Sequence, residues 1–379
     1  MILIESKFSS SIPSHTIQRI DLIQTLNQAK GLTVVQAPAG YGKTTLLQQW
    51  MQQSDAKITW LSLDVDDNEK TQFLSYIAAT LFKIEPMFEP LIDTHTDSDY
   101  LTRIANTIKR HITDSICLVI DNYDVIFNDE IHESMIFLLK HTMPQLHLML
   151  ISRSQPPLSI ASLRAQGLLT EITASDLCFS QDETNAYFTD CTDLTLTAEQ
   201  VKNAYIQTDG WIAIVQILVA RLKKLADVNA VIQDFSGQDR FVSDYLMSEC
   251  FNHYPLELQS FLTKISILKW IDDDVCRYIL SESDEYYPLS TIEQVGIPFF
   301  ALDTHHTQYC FHPIYASFLQ NQLRQETDSD AIALHQRASE RYSRQEELNF
   351  ANIEQILLHA NYVSHDLLLA YLEAYGQYL

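Results

Sequence analysis

A parallel α/β sheet domain followed by a mainly helical second half is what this sequence predicts, and three observations carry that expectation. Between residue 32 and about residue 175, five short β-rich runs alternate with helical stretches. The runs are continuously apolar more than alternating, as parallel strands covered on both faces should be. Beyond that point the texture becomes almost wholly helical, interrupted by a single hairpin pattern.

The strand candidates, in order, are LTVVQA (32–37), ITWLSLD (58–64), ICLVID (116–121), LHLMLIS (146–152) and LLTEI (168–172). A helix between the second and third is marked by Phe73, Ile77 and Leu81, spaced by four. Residues 83–99 carry prolines, Asp and Thr and read as a surface loop. SQDE at 180–183 and TAEQ at 197–200 both fit a capping box, with a hydroxyl first and Glu or Gln three residues later, so two helices should start there. GWIAIVQILVARL (210–222) is a strongly apolar helix, and further helical patterns follow near 239–253, 256–266 and 273–281. PFFALDTHHTQYCFHPIY (298–315) reads as two short strands around a polar tip, then a helix with Pro313 at its first position. Helices followed by one small hairpin predict a winged-helix domain. From residue 330 a paired-helix pattern begins and runs to YGQYL, which reads as the opening of a longer helical array.

Composition narrows the functions open to the chain. Its 379 residues suit two to four domains. The formal charge of −24 repels nucleic acid and anionic membranes, so neither should bind over a broad face. Six scattered cysteines without a C-x-x-C pair point to a reduced cytosolic protein. The start lacks a signal-peptide pattern, and no apolar run approaches the roughly 20 residues that cross a bilayer. These readings together predict a soluble, cytoplasmic chain.

The chemistry is concentrated in APAGYGKTTLLQQW (37–50), which sits between an apolar strand and a helix with Leu46, Leu47, Trp50 and Met51 on one face. A phosphate-binding P-loop reads G-x-x-x-x-G-K-[ST] in that context. Gly42, Lys43 and Thr44 fill the last three positions, and Ala37 replaces the first glycine. Alanine is tolerated there if its backbone is not left-handed. Gly40 and Gly42 supply the flexible positions, Lys43 would reach the β- and γ-phosphates, and the Thr44 hydroxyl would ligate Mg²⁺. The helix from Thr44 adds its positive end. The expected contact set for ATP or ADP is Ala37, Pro38, Ala39, Gly40, Tyr41, Gly42, Lys43, Thr44 and Thr45. A bland strand-to-helix turn with an incidental lysine is the competing reading.

Mg²⁺ also needs an acid at the end of a neighbouring strand, and CLVIDNYD (117–124) runs straight into Asp121. The next residue, Asn122, can position water but cannot accept its proton. Asp124 could substitute only if the loop turned it inward. Slow hydrolysis follows. Arg153, at the end of LHLMLIS, is either a γ-phosphate sensor or a solvated strand-end arginine. His305, His306, Cys310 and His312 lie across the hairpin pattern, where alternate residues face opposite ways, which argues against a metal centre. His312 reads first as a helix-start residue. Asp64, Asp66, Asp67 and Asn68 read first as turn and cap chemistry, and Trp211 after Gly210 as a core anchor.

Taken in order, LTVVQAPAGYGKTTLLQQW, WLSLDVDDNEKTQFLSYIAATL, CLVIDNYDVIFNDEIHESMIFLLKHTMPQLHLMLISRSQPPL, LRAQGLLTEITASDLCFSQDE, TDGWIAIVQIL and FSGQDRFVSDYLMSE resemble one family. The chain is similar to the MalT-like regulators of the STAND class of signal-transduction ATPases, many of which end in a LuxR-type DNA-binding domain. The resemblance implies a P-loop NTPase domain over residues 1–175, a small helical domain over 176–235, a winged-helix domain over 236–328 and the start of a helical-repeat sensor arm over 329–379. It implies that ADP is held in a closed monomer, and that inducer and ATP open the protein, which then oligomerises. Matched residue by residue, it makes Lys43 and Thr44 P-loop residues, Asp121 the Walker B acid and Arg153 the sensor arginine. It places Gly210 and Trp211 at the helical-domain signature and His312 in contact with the ADP β-phosphate. Many relatives carry two acids at Walker B and a histidine after the tyrosine, where this chain has Asn122 and Asp124, a departure that bears on hydrolysis rate. The DNA-binding helix-turn-helix and nearly all of the arm are missing, so the chain is expected to be a truncated protein or a fragment that does not itself bind DNA. The expectation is a weak regulatory ATPase acting as a switch. A metabolic P-loop kinase or phosphotransferase and a non-hydrolysing interaction module are the alternatives.

Overall fold

Short apolar runs bounded by turns become the strands of a five-stranded sheet in the computed structural model, which describes residues 4–8, 16–91, 99–192, 194–224, 227–281, 283–326, 328–344 and 350–375. The chain divides into two units. The first is Met1–Thr195 with Trp211–Ala213, and the second is Leu196–Gly210 with Ile214–Leu379.

In the first unit the elements run α1 (Ile20–Gln28), β1 (Leu32–Gln36), α2 (Lys43–Gln53), β2 (Lys57–Ser62), α3 (Lys70–Phe82), α4 (Tyr100–His111), β3 (Ile116–Asp121), α5 (Asp129–Thr142), β4 (Leu146–Ser152), α6 (Ala161–Ala165), β5 (Leu169–Ile172), α7 (Ala174–Leu177) and α8 (Gln181–Asp190). All pairings are parallel and the strand order is β2-β3-β4-β1-β5. Every residue of β3 is buried, the consequence of a strand with cover on both faces. Phe73, Ile77 and Leu81 of α3 join the core with Leu118, Ile120, Leu148 and Leu150. The strand order corrects one expectation: β3 does not neighbour β1, because β4 lies between them. Two smaller differences concern α2, which starts at Lys43, and Met51, which is only partly covered while Leu46, Leu47 and Trp50 are buried. The predicted loop at 83–99 holds a short 3-10 turn at Pro86–Leu91, and residues 92–98 lie outside the described residues.

The second unit follows as α9 (Ala198–Thr208), α10 (Ile212–Leu222, whose first residues belong to the first unit), α11 (Val228–Gln233), α12 (Arg240–Cys250), α13 (Leu256–Ile265), α14 (Asp273–Ile279), α15 (Leu289–Gln294), β6 (Phe299–Ala301), β7 (Tyr309–Phe311), α16 (Pro313–Glu326), α17 (Asp328–Ser343), α18 (Phe350–Val363) and α19 (His365–Tyr375). Capping boxes start α8 at Ser180 and Glu183 and α9 at Thr197 and Gln200, each hydroxyl accepting the N–H three residues on. The antiparallel pair β6–β7 is the predicted hairpin, and α16 begins at Pro313. α17 and α18 pack as a helix pair beside it. The four-part domain division carries forward as a proposal.

Candidate nucleotide-binding site

The strand-to-helix passage from β1 to α2 needs two left-handed residues, and glycine occupies both: Gly40 has φ 77° and Gly42, the N-cap of α2, has φ 81°. Ala37 is not among the residues at positive φ, which is why the replacement of a first glycine is tolerated. Its N–H bonds to the Ser152 carbonyl at 3.3 Å, so the loop leaves the sheet beside the end of β4. The Lys43 ammonium donates to the carbonyls of Ala37 at 2.6 Å and Pro38 at 2.8 Å and so folds back over the loop it follows.

Asp121 ends β3 at the same edge of the sheet. The Thr44 hydroxyl donates to its carboxylate, 3.2 Å from Oδ2 and 3.4 Å from Oδ1. Burial pushes the Asp121 carboxyl above its usual range; hydrogen bonds from the Asn122 N–H and the Thr44 hydroxyl, and the Lys43 charge, work against the rise, while Asp124 adds to it. A cation there would relieve a carboxylate that desolvation disfavours. Two ligand oxygens at adjacent corners of a magnesium octahedron lie about 3.0 Å apart, since Mg–O is about 2.1 Å. The Thr44–Asp121 spacing fits that, and hydroxyl and carboxylate are hard oxygen donors suited to Mg²⁺. No group of three or more His, Cys, Asp or Glu that could hold a metal occurs among the described residues. One acid and one hydroxyl would therefore share the ion with phosphate and water oxygens.

Three further predicted residues follow β3 and β4. Asn122 is left-handed, φ 59°, a conformation asparagine tolerates, and its N–H donates back to Asp121 Oδ1 at 2.9 Å. The Asp124 carboxylate accepts the Arg153 backbone N–H through Oδ1 at 2.8 Å. That bond ties the loop after β3 to the residue that follows β4. Since Gln36 pairs with Ser152, Arg153 stands next to the entry of the phosphate loop. The register was not expected from sequence, and it brings Arg153 closer to the loop than a strand beside β3 alone would require.

Sequence reasoning missed what holds the loop from the other side. Tyr41 is fully buried and stacks on Trp211, ring centroids 5.1 Å apart and planes 29° apart. Trp211 Nε1 donates to the Ala39 carbonyl at 3.1 Å, and the Ala213 N–H donates to the Gly40 carbonyl at 3.0 Å. A Cβ on Gly42 would come within 2.8 Å of Ile212 Cδ1. Trp211, Ile212 and Ala213 therefore fix the loop at Ala39, Gly40, Tyr41 and Gly42. The only sequence signal was an aromatic residue within the loop and another opening a later helix.

His312 lies in the second unit and is buried. Its backbone N–H donates to the Pro298 carbonyl, and its Nδ1 accepts the Ile314 N–H at 3.2 Å, which caps α16. Burial lowers its pKa to about 4, against a hydrogen bond with the Thr208 backbone, so the ring is neutral at pH 7. His306 pairs with Glu293 at the tip of the hairpin, away from any shared centre with His312.

Comparison with known proteins supplies the family. Residues 247–331 match the family described as the MalT winged helix domain. Over 361 residues, 89% of this chain, the sequence is 31% identical to the HTH-type transcriptional regulator MalT of Serratia proteamaculans. This chain is a MalT homologue. It spans 39% of that regulator's length. Among solved structures, the Walker-type ATPase of Pyrococcus abyssi covers 82% of this chain and 99% of its own, with a TM-score of 0.54 and 10% identity, and so shares the P-loop ATPase fold. A STAND protein with a tetratricopeptide repeat sensor from Pyrococcus horikoshii covers 97% of this chain and 51% of its own at a TM-score of 0.44 and 15% identity. None of the described helices is long and apolar enough to cross a membrane.

Proposed function

We propose that this chain is the nucleotide-binding switch module of a signal-responsive transcriptional regulator. The observation that carries the reading is the meeting of Lys43, Thr44 and Asp121 at one edge of the sheet, with the start of α2 behind them. Lys43 exchanges two neutral carbonyl partners for phosphate oxygens, a charge-assisted and therefore stronger set of bonds. Residues 37–45 wrap the phosphates of ATP or ADP, Thr44 and Asp121 hold Mg²⁺, and Arg153 stands where a γ-phosphate would be sensed. The bound cation supplies Lewis-acid stabilisation of phosphate charge.

Hydrolysis is slow in this reading, because the residue after Asp121 is Asn122, which can position water but cannot take its proton. Asp124 is turned toward the Arg153 backbone N–H. The domains are 1–175, 176–235, 236–328 and 329–379. His312 acts on the ADP-bound form as the resemblance implies, with inducer response and oligomerisation belonging to the longer protein.

Denaturing freshly purified protein and identifying the released nucleotide tests the reading. ADP or ATP at near one equivalent is expected, and Lys43→Ala should carry none. Protein that carries no nucleotide and gives no binding heat with MgADP or MgATP would sink the proposal.

A further inference from the structure

A cavity of about 450 Å³ opens in the second unit between α16, α17, α18 and the segment after α13. Its wall is apolar where Ile267, Phe311 and Leu323 meet it, all three buried. Two amides line the cavity: Gln320, whose nitrogen donates to the Ser266 carbonyl at 2.7 Å, and Gln355, which is 1% exposed. Neither the oxygen nor the nitrogen of Gln355 has a hydrogen-bond partner. A buried primary amide without partners is unfavourable, and such groups in folded proteins are nearly always satisfied by protein, water or ligand.

The mouth has the opposite character. Lys269 and Arg324 stand there with Tyr362, and among the described residues no Asp or Glu lines the cavity. In a chain of net charge −24 that is an uncommon concentration of one sign. Lys269 is shared with Glu354 at 3.5 Å. Arg324 lies over the Tyr362 ring, 5.7 Å from its centroid, and no carboxylate pairs with it among the described residues. His335 closes the inner end, stacked on Tyr362 and bonded through Nδ1 to His359 Nδ1 at 2.8 Å.

We propose that this cavity is a binding site for a small amphipathic anion. Its apolar body lies on Leu323, Ile267 and Phe311, its carboxylate, sulfonate or phosphate meets Arg324, and a polar substituent satisfies Gln355. Guanidinium favours such a head group because its planar fork presents paired donors to it. The site is built wholly from the winged-helix region and the first two helices after it, and it does not depend on the nucleotide reading.

The test is a fluorescence titration of the full chain with anilinonaphthalene sulfonate, a dye with an anionic head and an aromatic body. One saturable site is expected. Arg324→Gln, an exposed position, should weaken it at least about tenfold, and Ala316→Trp, which fills the cavity from α16, should abolish it. Lys43→Ala should leave the titration unchanged, which separates this site from the phosphate loop. Equal dye affinity in Arg324→Gln and the parent chain would remove the anion claim. Equal affinity in Ala316→Trp, with helicity intact by circular dichroism, would place the dye elsewhere and overturn the site.

Discussion

The first unit buries ions against specific partners, whereas the second buries a pair of histidine rings against each other and an amide with no partner at either end. Lys7 sits between Asp64 at 2.8 Å and Asp67 at 2.6 Å, over the ring of Tyr76. Arg19 donates to the carbonyls of Asp176, Leu177 and Cys178 and pairs with Glu183 at 2.8 Å. Even the buried histidines of this unit have hydroxyl partners, His132 with Tyr123 and His147 with Thr33, and a hydroxyl can either donate or accept. In the second unit His335 and His359 have each other, and His359 Nε2 has no partner. Covered ion pairs occur there too, Arg221 with Asp239 and Lys264 with Asp284. Buried groups held by opposite charge keep their partners across a wide pH range. Histidines kept neutral by burial, His147 of the first unit as well as the pair in the second, keep theirs only while they remain neutral.

Acid is the strongest test of that contrast. Burial holds His335 at about 4 and His359 at about 3, each below the ordinary 6.5, with Arg324 adding to the first shift and His335 to the second. For a base whose folded pKa is depressed, the stability it contributes is full above the unfolded pKa and is lost as the pH falls through the folded value. Between pH 7 and pH 5 each such ring loses about 2 kcal/mol. Urea midpoints at the two pH values should fall steeply for the parent chain. His359→Leu should cut the drop by about that amount. An unchanged pH slope in the variant would mean that the histidine pair is not the acid-sensitive element.

The same contrast decides what could be read from sequence. All five strands were legible to within a residue at their start, and Asp121 at the end of β3 was found because a fully buried strand leaves an uninterrupted apolar run. Caps at Ser180 and Thr197 were legible because their partners are three residues away. Arg19, Lys7 and the Tyr41–Trp211 stack were not, since each joins segments far apart in the chain; Trp211 and Ala39 are separated by 172 positions. Nothing local to FSSS or to GWIA announces such a partner. The strand order was hidden for the same reason, since alternation predicts parallel strands but not which pair is neighbours.

Within the first unit, Trp211 carries an effect of similar size to that of the two histidine rings together. If the stack with Tyr41 and the bond to the Ala39 carbonyl hold the loop in shape, Trp211→Ala should cost about 3–5 kcal/mol of stability. It should also weaken ADP about tenfold, although no phosphate contact is assigned to it. Trp211→Phe keeps one ring against Tyr41 but loses the N–H donor and part of the indole volume, so it should recover part of the affinity at a cost of about 1–3 kcal/mol. Calorimetric ADP titration of both variants, at a temperature where each is folded, separates positioning from bulk stability. Equal ADP affinity in Trp211→Ala and the parent chain would reduce the residue to a core anchor.

The smallest effect tests whether Asp121 is kept for a ligand at the expense of the fold. Its folded pKa is raised, chiefly by burial, so its stabilising contribution is full below the ordinary 3.8 and is lost as the pH rises through the folded value. At pH 7 the ionised group is therefore a cost in the absence of a cation. Asp121→Asn removes the charge and keeps an oxygen for the Thr44 hydroxyl and the Asn122 N–H. It should raise stability by about 1 kcal/mol, a rise of roughly 2–4 °C in melting temperature. It should weaken MgATP more than ADP without magnesium. A fall in melting temperature together with unchanged MgATP affinity would make Asp121 a structural carboxylate, held by the Thr44 hydroxyl and the Asn122 N–H for the fold alone.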